Sequence, residues 1–520
     1  MNKMKKVTQL LFLALFFGIV TILPSCDEEE DPVFTAPSIS IVGDNSAELM
    51  PGENIEVNFN INAEGGLSKI IVNRNGGFLE EVELTDPNAT TFTYTGQTVP
   101  TDSEEAGRIE FEFIGENVQG TRSAAQTFTV TVNVYETISV GSTELFNVSS
   151  LVPDDGVVKS GTTVKLAANR SYYMGAVGLP NDTIPVSFEE GSDLVIEEGV
   201  TVYMQSGIDF DVTVFGSVNI EGTATAPIVM TSEHTLNTGS EPEAGDWNDF
   251  QIEGAGKGTN SGILKYVRIE YAGDRAFILD DVGNGIEVSH VQVWKCTDEG
   301  IFIAGGDVNV SNLVVTDSED TQYRLDDDYS GNMQYILAVI SLQDDGDESM
   351  YLRGDSEALI SNVTVVGPGL IDGIGEPDGL RFWSTRGNKV YNAIVAELPS
   401  FGVRAEENAT DGRPLPTDID GPVVFAHSFV FNTEIQDDAT GNLGRDDASV
   451  FFTDAGFNNS TDPVAGIGPI DFVPDAAPTS SFDPSTLGTF FQAATFAGAV
   501  ENASNDWTTG WVKDPDGTVR

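Results

Sequence analysis

The sequence predicts an all-β chain, an N-terminal immunoglobulin-like sandwich followed by a right-handed parallel β-helix, and two observations carry that prediction. Between about Pro37 and Glu136, short segments alternate apolar and polar residues. Beyond about residue 160, a polar residue followed by an apolar-rich triplet recurs at intervals of about two dozen residues. Alternation with period two marks strands with one buried face, and a fixed repeat of this length marks a stacked solenoid.

The chain opens with Lys3, Lys5 and Lys6, an apolar run from Leu10 to Val20, and Leu23-Pro24-Ser25-Cys26. The run is too short for a membrane span, which takes roughly 20 apolar residues, and residues 1–25 read as a signal peptide. The segment resembles the lipobox of bacterial lipoproteins, which implies a diacylated Cys26 as mature N-terminus and a lipid anchor that holds the protein at a membrane. Residues 26–36 form an acidic tether beginning Asp27-Glu28-Glu29-Glu30-Asp31. This run resembles the export signal that places Bacteroidetes lipoproteins on the outer face of the outer membrane.

The 520 residues carry 82 acidic and 25 basic side chains, a net charge of −57. Removal of residues 1–25 takes away three lysines and no acid, leaving −60. Nucleic acid is excluded as a partner on electrostatic grounds. Only Cys296 remains as a thiol once Cys26 is lipidated, so burial alone must stabilise the fold.

Within 37–136, Ile55-Glu-Val57-Asn-Phe59-Asn-Ile61, Ile109-Glu-Phe111-Glu-Phe113 and Phe128-Thr-Val130-Thr-Val132 are strands, and turns such as Asn75-Gly76-Gly77 separate them. About seven strands in roughly 100 residues fit an immunoglobulin-like module, expected to act as a spacer.

Residues 137–455 are expected to form the β-helix, of roughly a dozen coils with inserted loops. The segments Leu194–Tyr203, Gly222–Ser232, Gly245-Asp-Trp247, Leu264–Gly273 and Asp506-Trp507-Thr-Thr-Gly-Trp511 resemble a family of parallel β-helix surface lipoproteins of Bacteroidetes. Independently of that resemblance, Tyr266, His290, Asn312, Asn362, Asn392 and His427 each precede an apolar-rich triplet. The first steps, 24 and 22 residues, are about one coil, and coils stack about 4.8 Å apart. His290 and His427 therefore belong to a structural ladder at a turn, while His234 stands alone. The right hand of the helix follows the general preference of parallel crossovers. Residues 456–520 are expected to cap the last coil, with Phe490-Phe491 and Trp507–Trp511 covering its open edge.

A second strand begins ten residues after the ladder triplet starts in Phe277-Ile-Leu279-Asp280, Ile301-Phe-Ile303-Ala304 and Tyr323-Arg-Leu325-Asp326, and Leu380-Arg-Phe382-Trp383 and Val403-Arg-Ala405-Glu406 match it by pattern. Alternation points the second and fourth residues outward, which aligns Arg324, Arg381 and Arg404 beside Asp326, Trp383 and Glu406. Guanidinium forks suit carboxylate or sulfate groups, and Trp383 offers a face for a sugar ring. Paired with their neighbouring acids, the same arginines would instead form a surface salt-bridge ladder. An insertion of about 26 residues after Leu325 holds Asp344, Asp345, Asp347 and Glu348, a carboxylate cluster that could hold Ca²⁺.

These features predict a non-catalytic surface lipoprotein that binds or presents an extended, acidic glycan beside an outer-membrane transporter. Two alternatives stand. One is a polysaccharide lyase acting on uronic-acid polymers, in which Arg381 with Asp326 and Asp378 would serve. The other is an adhesin or a structural subunit of an outer-membrane complex.

Overall fold

A computed structural model describes residues 33–520 apart from 50–53, 98–106, 133–134, 154, 176–185, 207–210, 259–261, 342–347, 371–376, 407–414 and 436–447. The chain divides into two compact units, and everything from Thr129 to Arg520 belongs to the second.

The N-terminal region contains a three-stranded sheet, in the order Ser38–Ile41, Asn54–Asn62, Thr91–Gln97, and a five-stranded sheet, in the order Ser46–Leu49, Gln126–Val132, Gly107–Asn117, Leu67–Arg74, Gly77–Glu83. Strict alternation in Asn54–Asn62 buries Ile55, Val57, Phe59 and Ile61 and exposes the residues between them. Phe59 meets Phe113 of the facing sheet with ring centroids 4.9 Å apart, so aromatic burial joins the two layers.

The second unit is a parallel β-helix. Its strands pair in register, one coil over the next, in a sixteen-stranded and an eleven-stranded sheet. Val267, Val291, Leu313, Ile336, Val363 and Ala393 form one interior column. All six are fully buried, and stacked aliphatic columns of this kind make up the core.

The polar residue before each triplet has a backbone reason. Tyr266, His290, Asn312, Tyr335, Asn362, Asn392 and His427 all have φ between 52° and 61°. Each is skipped in the strand pairing, so Lys265 faces Ser289 and Val267 faces Val291, and the sheet bends there. The left-handed conformation costs most residues about 1–2 kcal/mol, and Asn and His are among the side chains that tolerate it best. Tyr335 was not anticipated. The supposed 26-residue loop after Leu325 is largely another full coil, with strands Asn332–Val339 and Glu348–Arg353.

The end of the helix corrects a second expectation. The last coil is closed by Ala448, Phe451 and Phe457, which join the interior cluster. Phe451 stacks within 5.7 Å of Phe382 and 5.8 Å of Phe425. Phe490, Trp507 and Trp511 lie by earlier coils and not over that edge; the segment beyond about 460 winds back along the flank of the helix as a strap. Ser460 N–H donates to Ser428 O, Asn362 Nδ2 donates to Phe496 O at 2.9 Å, and Arg268 Nη1 donates to Trp511 O at 2.9 Å. The left-handed ladder is the seam on which the strap docks: the Trp511 ring lies 5.7 Å from Tyr266 and 5.9 Å from His290. Trp507 and Trp511 thus seal a side wall because the ladder presents rings and amides there, whereas the terminal coil presents phenylalanines.

Candidate functional site

The arginines lie on the eleven-stranded sheet, where Ile301–Ala304, Tyr323–Asp326, Glu348–Arg353, Asp378–Trp383 and Phe401–Glu406 stack in parallel. Register places Phe302, Arg324, Tyr351, Arg381 and Arg404 in one file. The adjoining file contains Arg353, Trp383 and Glu406. The three predicted arginines do share one face, with Tyr351 inserted between Arg324 and Arg381. Tyr351 and Arg353 were missed with their coil.

Every arginine in the file is clamped by carboxylates. Arg324 pairs with Glu299 and, at 2.9 Å, with Asp326. Arg381 pairs with Glu348 and, at 2.7 Å, with Glu406. Arg404 pairs with Asp378 at 2.7 Å and Glu406 at 2.5 Å. In each case one partner belongs to the preceding coil, so the ion pairs stitch coil to coil. Arg275 adds a contact to Glu299 and Arg353 one to Asp326. Five guanidinium groups therefore face five carboxylates, Glu299, Asp326, Glu348, Asp378 and Glu406, and the local charge cancels. The carboxylates are almost wholly buried, and the three arginine side chains keep about a fifth of their surface exposed.

The electrostatics follow from that geometry. Burial alone would lower the pKa of Arg381, but the Glu348 and Glu406 carboxylates outweigh it and the net shift is upward. Arg324 and Arg404 are raised in the same manner by Asp326 with Glu299 and by Asp378 with Glu406. At the edge of the network, burial, a hydrogen bond with Asp320 and the charge of Glu299 push the Asp298 carboxyl up to about 8.

Aromatic rings fill the gaps between the charges. The Arg353 guanidinium lies 5.4 Å from the Tyr351 ring and 5.0 Å from Trp383, and those two rings are 6.0 Å apart. Arg324 lies over Phe302 at 5.2 Å and Arg404 over Phe401 at 5.4 Å. Stacked guanidinium and ring planes make a flat surface with partly exposed edges. Of the acids one coil back, Glu299 was missed, Glu348 was assigned to the calcium cluster, and Asp378 was set beside Arg381 whereas it pairs with Arg404.

Of the four residues of the expected calcium cluster, only Glu348 falls among the described residues. Asp344, Asp345 and Asp347 lie outside the described residues. Glu348 is not a loop ligand but a strand residue, 2% exposed, whose carboxylate is committed to Arg381. Among the described residues, no group of three or more His, Cys, Asp or Glu side chains is arranged to hold a metal ion. Cys26 also lies outside the described residues, and among them no helix is long and apolar enough to cross a membrane. His290 is half-buried and stacks on Tyr266, 4.2 Å between ring centroids. His427 hydrogen-bonds Asn458 and Ser481, and His234 lies 3.2 Å from Asp246.

Residues 235–465, a little under half of the chain, match the model of a family described as a pectate-lyase-like β-helix domain. No curated protein matches the chain. Among solved structures, the fibronectin(III)-like modules of Clostridium thermocellum CbhA are similar at 13% identity with a TM-score of 0.16, over 20% of this chain and 49% of that one. A pectate lyase from Pectobacterium carotovorum is similar at 10% identity with a TM-score of 0.13, over 78% of this chain and 98% of that one. The chain spans about half the length of the first of these. Strand register and the family match together identify a parallel β-helix, similar over residues 235–465 to pectate-lyase-like domains.

Proposed function

We propose that this protein is a non-catalytic lipoprotein of the outer membrane that binds an extended glycan along the file of arginines and aromatic rings. The observation that carries the proposal is the clamping of Arg324, Arg381 and Arg404. A lyase base must shed a proton near neutral pH, and carboxylates on both sides of Arg381 hold its proton more firmly than water would. What the surface offers a ligand is the exposed edges of Trp383 and Tyr351 and the outer N–H groups of the guanidinium forks, which suits packing against sugar rings. Because the five positive charges are already matched, the basis for preferring a polyanion is lost, and the ligand class is a neutral or weakly charged glycan. The immunoglobulin-like N-terminal module is a spacer, and Cys26 carries the lipid that leaves the binding face outside the cell, beside a transporter.

The test is retention of the full-length protein on an array of neutral and acidic glycans. Joint replacement of Tyr351 and Trp383 by Ala should abolish retention of the long polymers that the wild type binds; unchanged retention of those polymers counts against the proposal. The family match favours a second possibility, a polysaccharide lyase. Incubation with pectate and alginate, followed by ultraviolet absorbance of unsaturated product, separates the two, since a binder yields none.

A further inference from the structure

A second polar cleft lies on the other sheet, where the strap overhangs the coils. Its volume is about 430 Å³. The floor comes from neighbouring strands whose register aligns Lys265, Ser289 and Ser311. His290 and Asn312 of the left-handed ladder line it, and Phe490 of the strap forms a wall. Phe491, 5% exposed and packed edge-on at 5.3 Å, anchors Phe490, and Gln492 is tied to Gln334 by hydrogen bonds of 2.8 and 3.0 Å. The wall is therefore fixed to the helix.

The lining carries unused hydrogen-bonding capacity. The His290 Nδ1 atom has no hydrogen-bond partner but is closed off from solvent, so the capacity open to a ligand is that of its neighbours. Among the described residues, nothing hydrogen-bonds the Ser311 hydroxyl or the Asn312 amide either. The one cation in the lining, Lys265, is already 3.5 Å from Glu287. Hydroxyl and amide both donate and accept, and a planar ring beside them supplies an apolar face. An anion would find no unpaired positive charge in a chain whose net charge is −57. An apolar ligand would leave the Ser311 hydroxyl and the Asn312 amide without partners.

We infer that this cleft is a binding site for a neutral saccharide unit, which stacks on Phe490 and exchanges hydrogen bonds with Ser311 and Asn312. The site lies on a different sheet from the arginine file and does not depend on its ligand. The strap closes one end of the trough, so the unit bound there is a chain end or a short oligosaccharide, not the middle of a long polymer.

The experiment uses the full-length protein and immobilised neutral oligosaccharides of the cello, xylo, manno and galacto series. Ser311→Trp fills the cleft from the floor, and Phe490→Ala removes the wall. Retention of at least one probe is expected, with affinity lowered about tenfold or more by Ser311→Trp. Circular dichroism and urea midpoints verify that each variant is folded. Retention of no neutral probe, or retention that survives filling of the cleft, overturns the inference. Loss through Trp383→Ala alone would instead place that glycan on the arginine file.

Discussion

Acidification should weaken the fold through His290, and the size of the effect can be worked from its surroundings. The imidazole is held between Tyr266, Trp507 and Trp511. Burial, and secondarily the charge of Lys265, depresses its pKa from 6.5 to about 4. In the unfolded chain the ring takes a proton near the ordinary value, so the unfolded state binds more protons between the two values. The stabilising contribution is therefore complete above about pH 6.5 and disappears as the pH falls toward 4. Between pH 7.5 and pH 5 the integrated loss is about 2 kcal/mol, and partial solvent screening of the ring brings it to roughly 1–2 kcal/mol. His290→Asn is the informative variant, because Asn already occupies the same left-handed position at 312, 362 and 392. Urea midpoints for both proteins at the two pH values give a difference of differences in which the titration of the many carboxylates cancels. If the wild type and the Asn variant lose stability equally, to within about 0.5 kcal/mol, the burial of a neutral imidazole is not what the fold depends on. A proton NMR titration that places His290 near its ordinary value would refute the reasoning directly.

Three further outcomes are expected. Arg381→Met leaves Glu348 and Glu406 buried without their shared guanidinium; breaking a buried pair costs about 3–5 kcal/mol, and the partial exposure of Arg381 brings the urea-measured loss to about 2–3 kcal/mol. Adding Glu348→Gln should recover part of that loss, and strict additivity in the double-mutant cycle would show that the two groups do not interact. Trp511→Ala removes a fully buried ring and should cost about 3–5 kcal/mol, with new protease cleavage in residues 460–520 as the sign that the strap has come loose. Cys26→Ser should abolish incorporation of labelled palmitate, and continued labelling would exclude that residue as the lipid attachment point.

Much of the coil arithmetic was legible because the left-handed turn selects a narrow set of residues. Asn312, Asn362 and Asn392 announce it through their chemistry, and the 24- and 22-residue steps supply the period. The coil at Tyr335 escaped because its triplet, Ile336-Leu337-Ala338, ends in a small residue and because the acids around 344–348 resemble a loop. Inside the solenoid, only the column from Leu313 through Ile336 to Val363 reveals it. The alignment of Arg324, Arg381 and Arg404 was also legible, since alternation and register suffice to place them. Their pairing was legible in part: the neighbouring acids Asp326 and Glu406 do pair with Arg324 and Arg404, but each arginine also takes a carboxylate from the coil before its own, and no local pattern says which of 82 acids that is. The path of the strap was hidden for a related reason: Arg268 and Trp511 are 243 positions apart, and neither segment carries a mark that names its partner.

The returning strap also acts as a gauge on the number of coils. It is fastened to the coil of Ser428 at one end and to those of Arg268 and Gln292 at the other, so it must span a fixed count of levels between them. Duplicating one coil would leave the aliphatic columns in register but move the two anchor points about 4.8 Å apart. A solenoid without such a tie can lengthen or shorten by whole repeats. Here a repeat can be gained or lost between Arg268 and Ser428 only if the C-terminal segment changes length in step.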